Sequence, residues 1–228
     1  MNQLHDADWL VISDVDGTLT QVTSVWEYLH KRLGKWDDEG VVNLREYCAG
    51  RIDYVEFARR DSLAYAGLSR TELSAMVSEI PRRIEMDYML RTLHDSNCSI
   101  ALVSSGLDIL VDQIQWASIR VSNRLIFQGD YCTGETEIHV PIDGKADWTE
   151  RLIQSFPAGR NRVIAIGDSR GDIPVFRMAG FAIAVAPTHP DVAAAADVVL
   201  DGSTLAPIPA WIETFKATPS IRKSRNPR

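Results

Sequence analysis

Six short apolar runs recur along the chain, at residues 9–13, 100–104, 125–127, 163–166, 181–185 and 198–200, and each gives way to small or polar residues. They are continuous rather than alternating, the pattern of strands buried on both faces of a parallel sheet. Stretches with three- and four-residue apolar spacing separate them, at about 87–96, 108–116, 147–156 and 173–179. Strand and helix in alternation predict an α/β fold with a doubly wound parallel sheet. A sheet of this kind builds its sites at the carboxyl ends of its strands, so the residues that follow each run carry the functional question.

One interval breaks the rhythm. Residues 21–85 hold no strand-like run; Val25, Trp26, Leu29 and Leu33, then Leu68, Leu73, Met76, Val77 and Ile80, recur at amphipathic-helix steps. Ser69 with Glu72 makes a capping box for the last helix, and Pro81 stops it. The expectation is a small helical domain, 21–85, inserted after the first strand of a discontinuous core made of 1–20 and 86–228. Trp26, Trp36, Tyr47, Tyr54, Phe57 and Tyr65 crowd this insertion. Most are expected to form its core, with one or two lining a lid over a ring-bearing ligand.

Charge narrows the partners. With 24 basic and 31 acidic residues the net charge is −7, the wrong sign for a nucleic-acid polymer or an anionic membrane surface. The basic tail, with Arg222, Lys223, Arg225 and Arg228, reads as a solvated end. Cys48, Cys98 and Cys132 are widely spaced, and neither a disulfide framework nor a zinc knuckle is indicated. No run reaches the length of a membrane span, and the first residues are polar, so a soluble protein of a reducing cytoplasm is expected.

The first apolar run leads directly into Asp14-Val15-Asp16-Gly17-Thr18-Leu19-Thr20. Two acids two residues apart can divide labour, one as nucleophile and metal ligand, the other as general acid and base. A calcium loop of the EF-hand type fails, because Gly17 falls at loop position four and Val25 stands where the bidentate glutamate belongs. The run at 100–104 ends in Ser104-Ser105-Gly106, small residues able to hold phosphate oxygens, although an ordinary strand-to-helix turn looks the same. Lys145 opens a helical stretch, where a lone lysine is usually exposed. The run at 163–166 delivers Asp168 and, four residues on, Asp172 to the same sheet edge as Asp14, an oxygen-rich set suited to Mg²⁺.

Taken in this order, the four motifs resemble the haloacid dehalogenase (HAD) superfamily of phosphohydrolases, and their spacing resembles its phosphoserine phosphatase-like branch. The resemblance covers nearly the whole chain and implies a Rossmann-like core with a helical cap at 21–85. It implies Mg²⁺-dependent hydrolysis of a small phosphorylated metabolite through an aspartyl-phosphate. Asp14 would be the nucleophile, Asp16 the acid and base, and Lys145 the charge-neutralising catalytic cation. Thr18, Ser104, Ser105 and Gly106 would bind phosphate, and Asp14, Asp16, Asp168 and Asp172 would serve the metal. A phosphotransferase or phosphomutase would use the same intermediate, a nucleoside monophosphate or sugar phosphate is an alternative substrate, and a monomer or homodimer would serve equally. The chain departs from phosphoserine enzymes at Thr23, where they carry an acid toward the substrate amine, and at Gly171, where they carry asparagine. Arg60 aligns with their cap arginine for the substrate carboxylate, a solvated helix face being the other reading.

Overall fold

The computed structural model describes residues 7–217. Seven strands form one sheet in the order β4-β3-β2-β1-β5-β6-β7. They are β1 (Trp9–Ser13), β2 (Cys98–Leu107), β3 (Ile119–Gln128), β4 (Tyr131–Glu137), β5 (Val163–Gly167), β6 (Phe181–Val185) and β7 (Val198–Leu200). All neighbours pair in parallel except β3 and β4, which form an antiparallel hairpin at one edge. β1 and β5, apolar but for Ser13 at the end of β1, lie at the centre, where every residue of both is buried.

The strand order reverses around β1, which pairs with β2 on one side and β5 on the other. This is the topological switch point, and the crevice outside the strand ends there is where such sheets place a ligand. Ser13 stands level with both Leu102 and Ile166, so the segments starting at Asp14, Ser104 and Asp168 emerge side by side.

Four α-helices separate β1 from the next core helix: α1 (Val25–Arg32), α2 (Val41–Cys48), α3 (Tyr54–Leu63) and α4 (Arg70–Ser78), with one π-helical turn at Trp36–Gly40. Ser24, Asp53 and Ser69 cap α1, α3 and α4, and the Ser69–Glu72 capping box is formed as expected. The insertion is not a self-contained ball. Its buried Val25, Leu29, Tyr65, Leu73 and Val77 join one apolar cluster with Val11, Leu102 and Leu110 of the sheet side. It also ties itself to the edge hairpin, where Ser62 donates to Gly134 O at 2.9 Å and Gly67 N–H to Cys132 O at 2.9 Å.

The remaining helices are α5 (Met86–Asp95), α6 (Asp108–Val111), α7 (Lys145–Ser155), α8 (Ile173–Met178), α9 (Pro190–Ala195) and α10 (Ile208–Ala217). Two sequence expectations change. The helix expected at 108–116 stops at Val111, because the Arg120 guanidinium takes the carbonyls of Ile114 and Ala117 and Trp116 turns left-handed at φ 69°. The strand read at 125–127 is part of the ten-residue β3, and β4 beside it was not anticipated. Edge strands are half solvated, so their polar residues hide them from a search for continuous apolar runs. The basic tail 221–228 lies outside the described residues. Among those described, no helix is long and apolar enough to cross a membrane.

Candidate active site

The turn after β1 brings Asp14 and Asp16 to the switch point, and Gly17 makes it possible. Its φ is +75°, and a Cβ there would overlap the Asp168 carboxylate. The Arg83 guanidinium clamps the turn from behind, donating to Gly17 O, Thr18 O at 3.1 Å and Gly202 O at 2.8 Å. Sequence reading passed over Arg83, which follows Pro81 with no motif around it.

Asp14, Lys145, Asp168 and Asp172 are buried together, none more than 6% exposed. Lys145 Nζ lies 2.7 Å from Asp14 Oδ2 and 2.8 Å from Asp172 Oδ1. The lysine that sequence alone would leave on the surface is therefore the buried counter-charge of the cluster. Asp172 Oδ2 accepts from the backbone N–H of Asp168 at 3.2 Å, and from Ser169 N–H and Oγ, both at 2.9 Å. Both of its oxygens are engaged, so Asp172 holds Lys145 and the β5 turn in register.

Asp14, Asp168 and Asp172 each offer a carboxylate oxygen within 4.8 Å of the others. Three buried carboxylates share one ammonium, which leaves an excess of negative charge on a set of hard oxygen donors. That combination fits a small divalent cation. The same excess raises the carboxyl pKa values. Asp14 is pushed up to about 6, first by burial and against the pull of Lys145. Asp16 is pushed up to about 7 by burial and then by Asp14, and Asp168 to about 8 by burial and then by Asp14 and Asp172. Burial works to lower the Lys145 pKa, but attraction to Asp14 and Asp172 outweighs it and holds the ammonium charged.

These shifts have a definite consequence for stability. The folded chain keeps protons on Asp14, Asp16 and Asp168 that the unfolded chain releases near pH 4, so stability falls as pH rises through about 4 to 8. The metal-free protein is expected to melt at a lower temperature at pH 8 than at pH 5.5. Mg²⁺, which binds the deprotonated acids, should raise the melting temperature more at pH 8. Calorimetry in EDTA and in excess Mg²⁺ at both pH values checks this; a larger Mg²⁺ effect at pH 5.5 would contradict it.

A cavity of about 280 Å³ opens over the cluster. Asp14, Asp16, Ser104, Ser105, Gly106, Lys145 and Asp168 all line it. Asp16 is partly open to it, and among the described residues Asp16 Oδ1 finds no hydrogen-bond partner. Gly106 makes room for this side chain, since a Cβ there would overlap Asp16 Oδ2. Ser104 Oγ accepts from Gly106 N–H at 2.9 Å, and Ser105 Oγ donates to Pro141 O at 3.2 Å. Gly171 also lines the cavity, and a side chain there would crowd Ile142 O, 3.1 Å from its Cβ position.

Two residues fall elsewhere than expected. Thr18 is fully buried beneath the turn, where its hydroxyl donates to Asp168 Oδ1 at 3.0 Å; it holds that acid rather than facing the cavity. Arg60 is not among the lining residues, because its Nε is drawn to Glu56 Oε1 at 2.7 Å on the same helix.

The insertion supplies the opposite wall, and it corrects the expectation for the aromatic residues. Trp26, Trp36, Tyr47, Tyr54 and Phe57 all line the cavity, while Tyr65 is wholly buried. One carbonyl explains much of this placement. Ser105 O accepts from Trp26 Nε1 at 3.1 Å, Tyr54 Oη at 3.0 Å and Asn123 Nδ2 at 2.9 Å, joining the wall to the end of β2. Asn123 is fully buried, and its Oδ1 accepts from His139 N–H and Val140 N–H, both at 2.9 Å. Asn123 lies between Ser122 and Arg124, outside the apolar run at 125–127, so only the fold gives it meaning. Asp61, on α3, also lines the cavity; Asn43 donates to its Oδ1 at 2.8 Å and His30 Nε2 lies 3.7 Å away.

A crevice at the switch point of a doubly wound sheet thus gathers an acid pair, a buried lysine and a carboxylate cluster in one place. The family model described as haloacid dehalogenase-like hydrolase matches residues 11–177, and the chain belongs to that family. It is 28% identical over 212 residues to a phosphoserine phosphatase of Lactococcus lactis, covering 91% of this chain and 96% of that one. A phosphoserine phosphatase of Methanocaldococcus jannaschii is 23% identical over 208 residues, covering 90% of this chain and 97% of that one. A substrate-bound phosphoserine phosphatase structure superposes with a TM-score of 0.74 at 22% identity, covering 89% of this chain and 97% of that one.

Proposed function

We propose that the protein hydrolyses a small phosphate monoester by way of an aspartyl-phosphate on Asp14. It is a phosphoric monoester hydrolase, and the observation that carries the mechanism is the pair Asp14 and Asp16 in one cavity with Lys145 2.7 Å from Asp14 Oδ2. Asp14 attacks phosphorus, and the bond from phosphorus to the ester oxygen breaks. Asp16 gives its proton to the leaving alcohol, then takes a proton from the water that attacks the aspartyl-phosphate and releases inorganic phosphate. A carboxyl pKa pushed up to about 7 suits both halves of that role near neutral pH.

Lys145 and Ser104 stabilise the charge on the transferring group, and Asp172 keeps Lys145 aimed. Mg²⁺ would be held by Asp14 and Asp168 with the Asp16 backbone carbonyl, Asp172 supporting from behind, and it would neutralise phosphate beside the carboxylates. Residues 21–85 act as the cap that shields the reaction from bulk water, with the core at 1–20 and 86–228. The three free cysteines suit a reducing cytoplasm.

Release of phosphate in ¹⁸O-water tests the reading. Hydrolysis releases inorganic phosphate that carries the label, transfer to another hydroxyl gives an unlabelled ester in place of inorganic phosphate, and EDTA should stop release until Mg²⁺ is restored. That unlabelled ester, or full activity after exhaustive chelation, would overturn the proposal.

A further inference from the structure

The half of the cavity that receives the leaving alcohol has an unusual balance of charge. Among the described lining residues Lys145 is the one cation, and it is already shared by Asp14 and Asp172. Among the described lining residues, the opposite wall offers no cation to a substrate carboxylate. Arg59 and Arg60 are both bound to Glu56 on their own helix, and Thr23 and Ser24 are neutral. The charged side chains that the insertion does present are acids, Glu27 and Asp61. Glu27 is offset by Lys31 on α1. Asp61 is 1% exposed; Asn43 donates to it and His30 lies farther off.

Aromatic rings line the same wall as these acids. Tyr47 and Phe57 stack with centroids 5.0 Å apart, and Tyr54 meets them edge-on at 6.0 and 6.3 Å. Trp26 and Trp36 extend the wall. Aromatic faces backed by a carboxylate attract an organic cation, most strongly where water is excluded, and they offer nothing to an anion. Tyr54 and Trp26 are hydrogen-bonded to Ser105 O beside the phosphate-facing loop, so the rings stand within reach of a short alcohol whose phosphate sits over Asp14.

We infer that the leaving group is a small ammonium-bearing alcohol without a carboxylate: the substrate class is the phosphate monoester of an amino alcohol or its N-methylated forms. This rests on the phosphatase reading above and narrows it. The phosphate lies at the acid cluster, the ammonium lies among Tyr47, Tyr54, Phe57 and Trp36 with Asp61 behind, and a serine-type carboxylate would be buried without a partner.

The experiment compares kcat/KM for phosphocholine and phosphoethanolamine with 3,3-dimethylbutyl phosphate, the neutral isostere of phosphocholine, and with O-phosphoserine, a nucleoside monophosphate and p-nitrophenyl phosphate. Phosphocholine or phosphoethanolamine should exceed the neutral isostere and O-phosphoserine by about tenfold or more. In Asp61→Asn and Tyr47→Leu the ratio of phosphocholine to its isostere should fall several-fold toward one. The same preparation turns over both esters, so a poorly folded fraction cannot mimic that fall. If p-nitrophenyl phosphate is hydrolysed but the isostere, O-phosphoserine or the nucleotide equals or exceeds the ammonium esters, this inference fails alone. If no ester is hydrolysed with Mg²⁺ present, the phosphatase reading fails and takes the inference with it.

Discussion

Asp14→Asn is expected to abolish phosphate release, by about 10³-fold or more, while the protein stays folded. The substitution keeps the shape of the side chain and removes its nucleophilic charge. Its electrostatic effect on the fold runs the other way from its effect on activity. Asp14 is one of the groups that raise the carboxyl pKa values of Asp16 and Asp168, so neutralising it relieves repulsion among buried acids. Lys145 keeps Asp172 at 2.8 Å as its partner. The metal-free variant should therefore melt close to, or above, the wild-type temperature at pH 7.5, and Mg²⁺ should shift its melting less. Phosphate release at the wild-type rate from purified Asp14→Asn would end the nucleophile assignment. A large drop in melting temperature would show that the Asp14–Lys145 pair outweighs the repulsion it sits in.

Lys145→Met is expected to damage both stability and activity. Methionine matches the length of the lysine stem, so the change isolates the ammonium. Its loss leaves the buried Asp14 and Asp172 without their cation and Asp168 close by. Breaking a buried ion pair from one side costs about 3–5 kcal/mol, because the stranded charge remains. For a chain of this size that is a drop in melting temperature on the order of 10 °C. The sign with pH is distinctive: protonating the stranded acids at pH 5.5 should recover most of the loss, and Mg²⁺ at pH 7.5 should recover part of it by standing in for the missing charge. Equal destabilisation at both pH values would mean that packing, not charge, explains the buried lysine.

The first of these predictions concerns a residue legible in the sequence, because the apolar runs that end at 13, 104 and 166 mark where chemistry can be placed. A buried parallel strand needs an unbroken apolar run, and the first polar residues after it must face the crevice. That physical requirement is local, and it made Asp14, Asp16, Ser104 and Asp168 readable one strand at a time. Asp172 and Lys145 were less so, since a single acid or lysine in a helix start has no local mark of burial. Thr18 had the right position in the chain and the wrong direction, its hydroxyl turned beneath the loop to Asp168.

The insertion shows the other side. Helical periodicity located the first and last of its four helices and the Ser69 capping box, because caps and spacing are short-range properties. It could not tell which aromatic side chains would be core, since all are large rings crowded into the same segment. Tyr65 went inside, while Trp26, Trp36, Tyr47, Tyr54 and Phe57 came to face the cavity. Two long-range contacts decided this: the Ser105 carbonyl that takes Trp26, Tyr54 and Asn123, and the hairpin edge that takes Ser62 and Gly67; within α3, Glu56 pairs with Arg60. By itself the chain's apolar patterning determined the doubly wound sheet and the acids at its switch point. Only the tertiary structure decided that the wall opposite the acid cluster is aromatic and acidic, with no arginine among its described lining residues, because side-chain direction depends on partners as far as 79 residues away that no local pattern encodes.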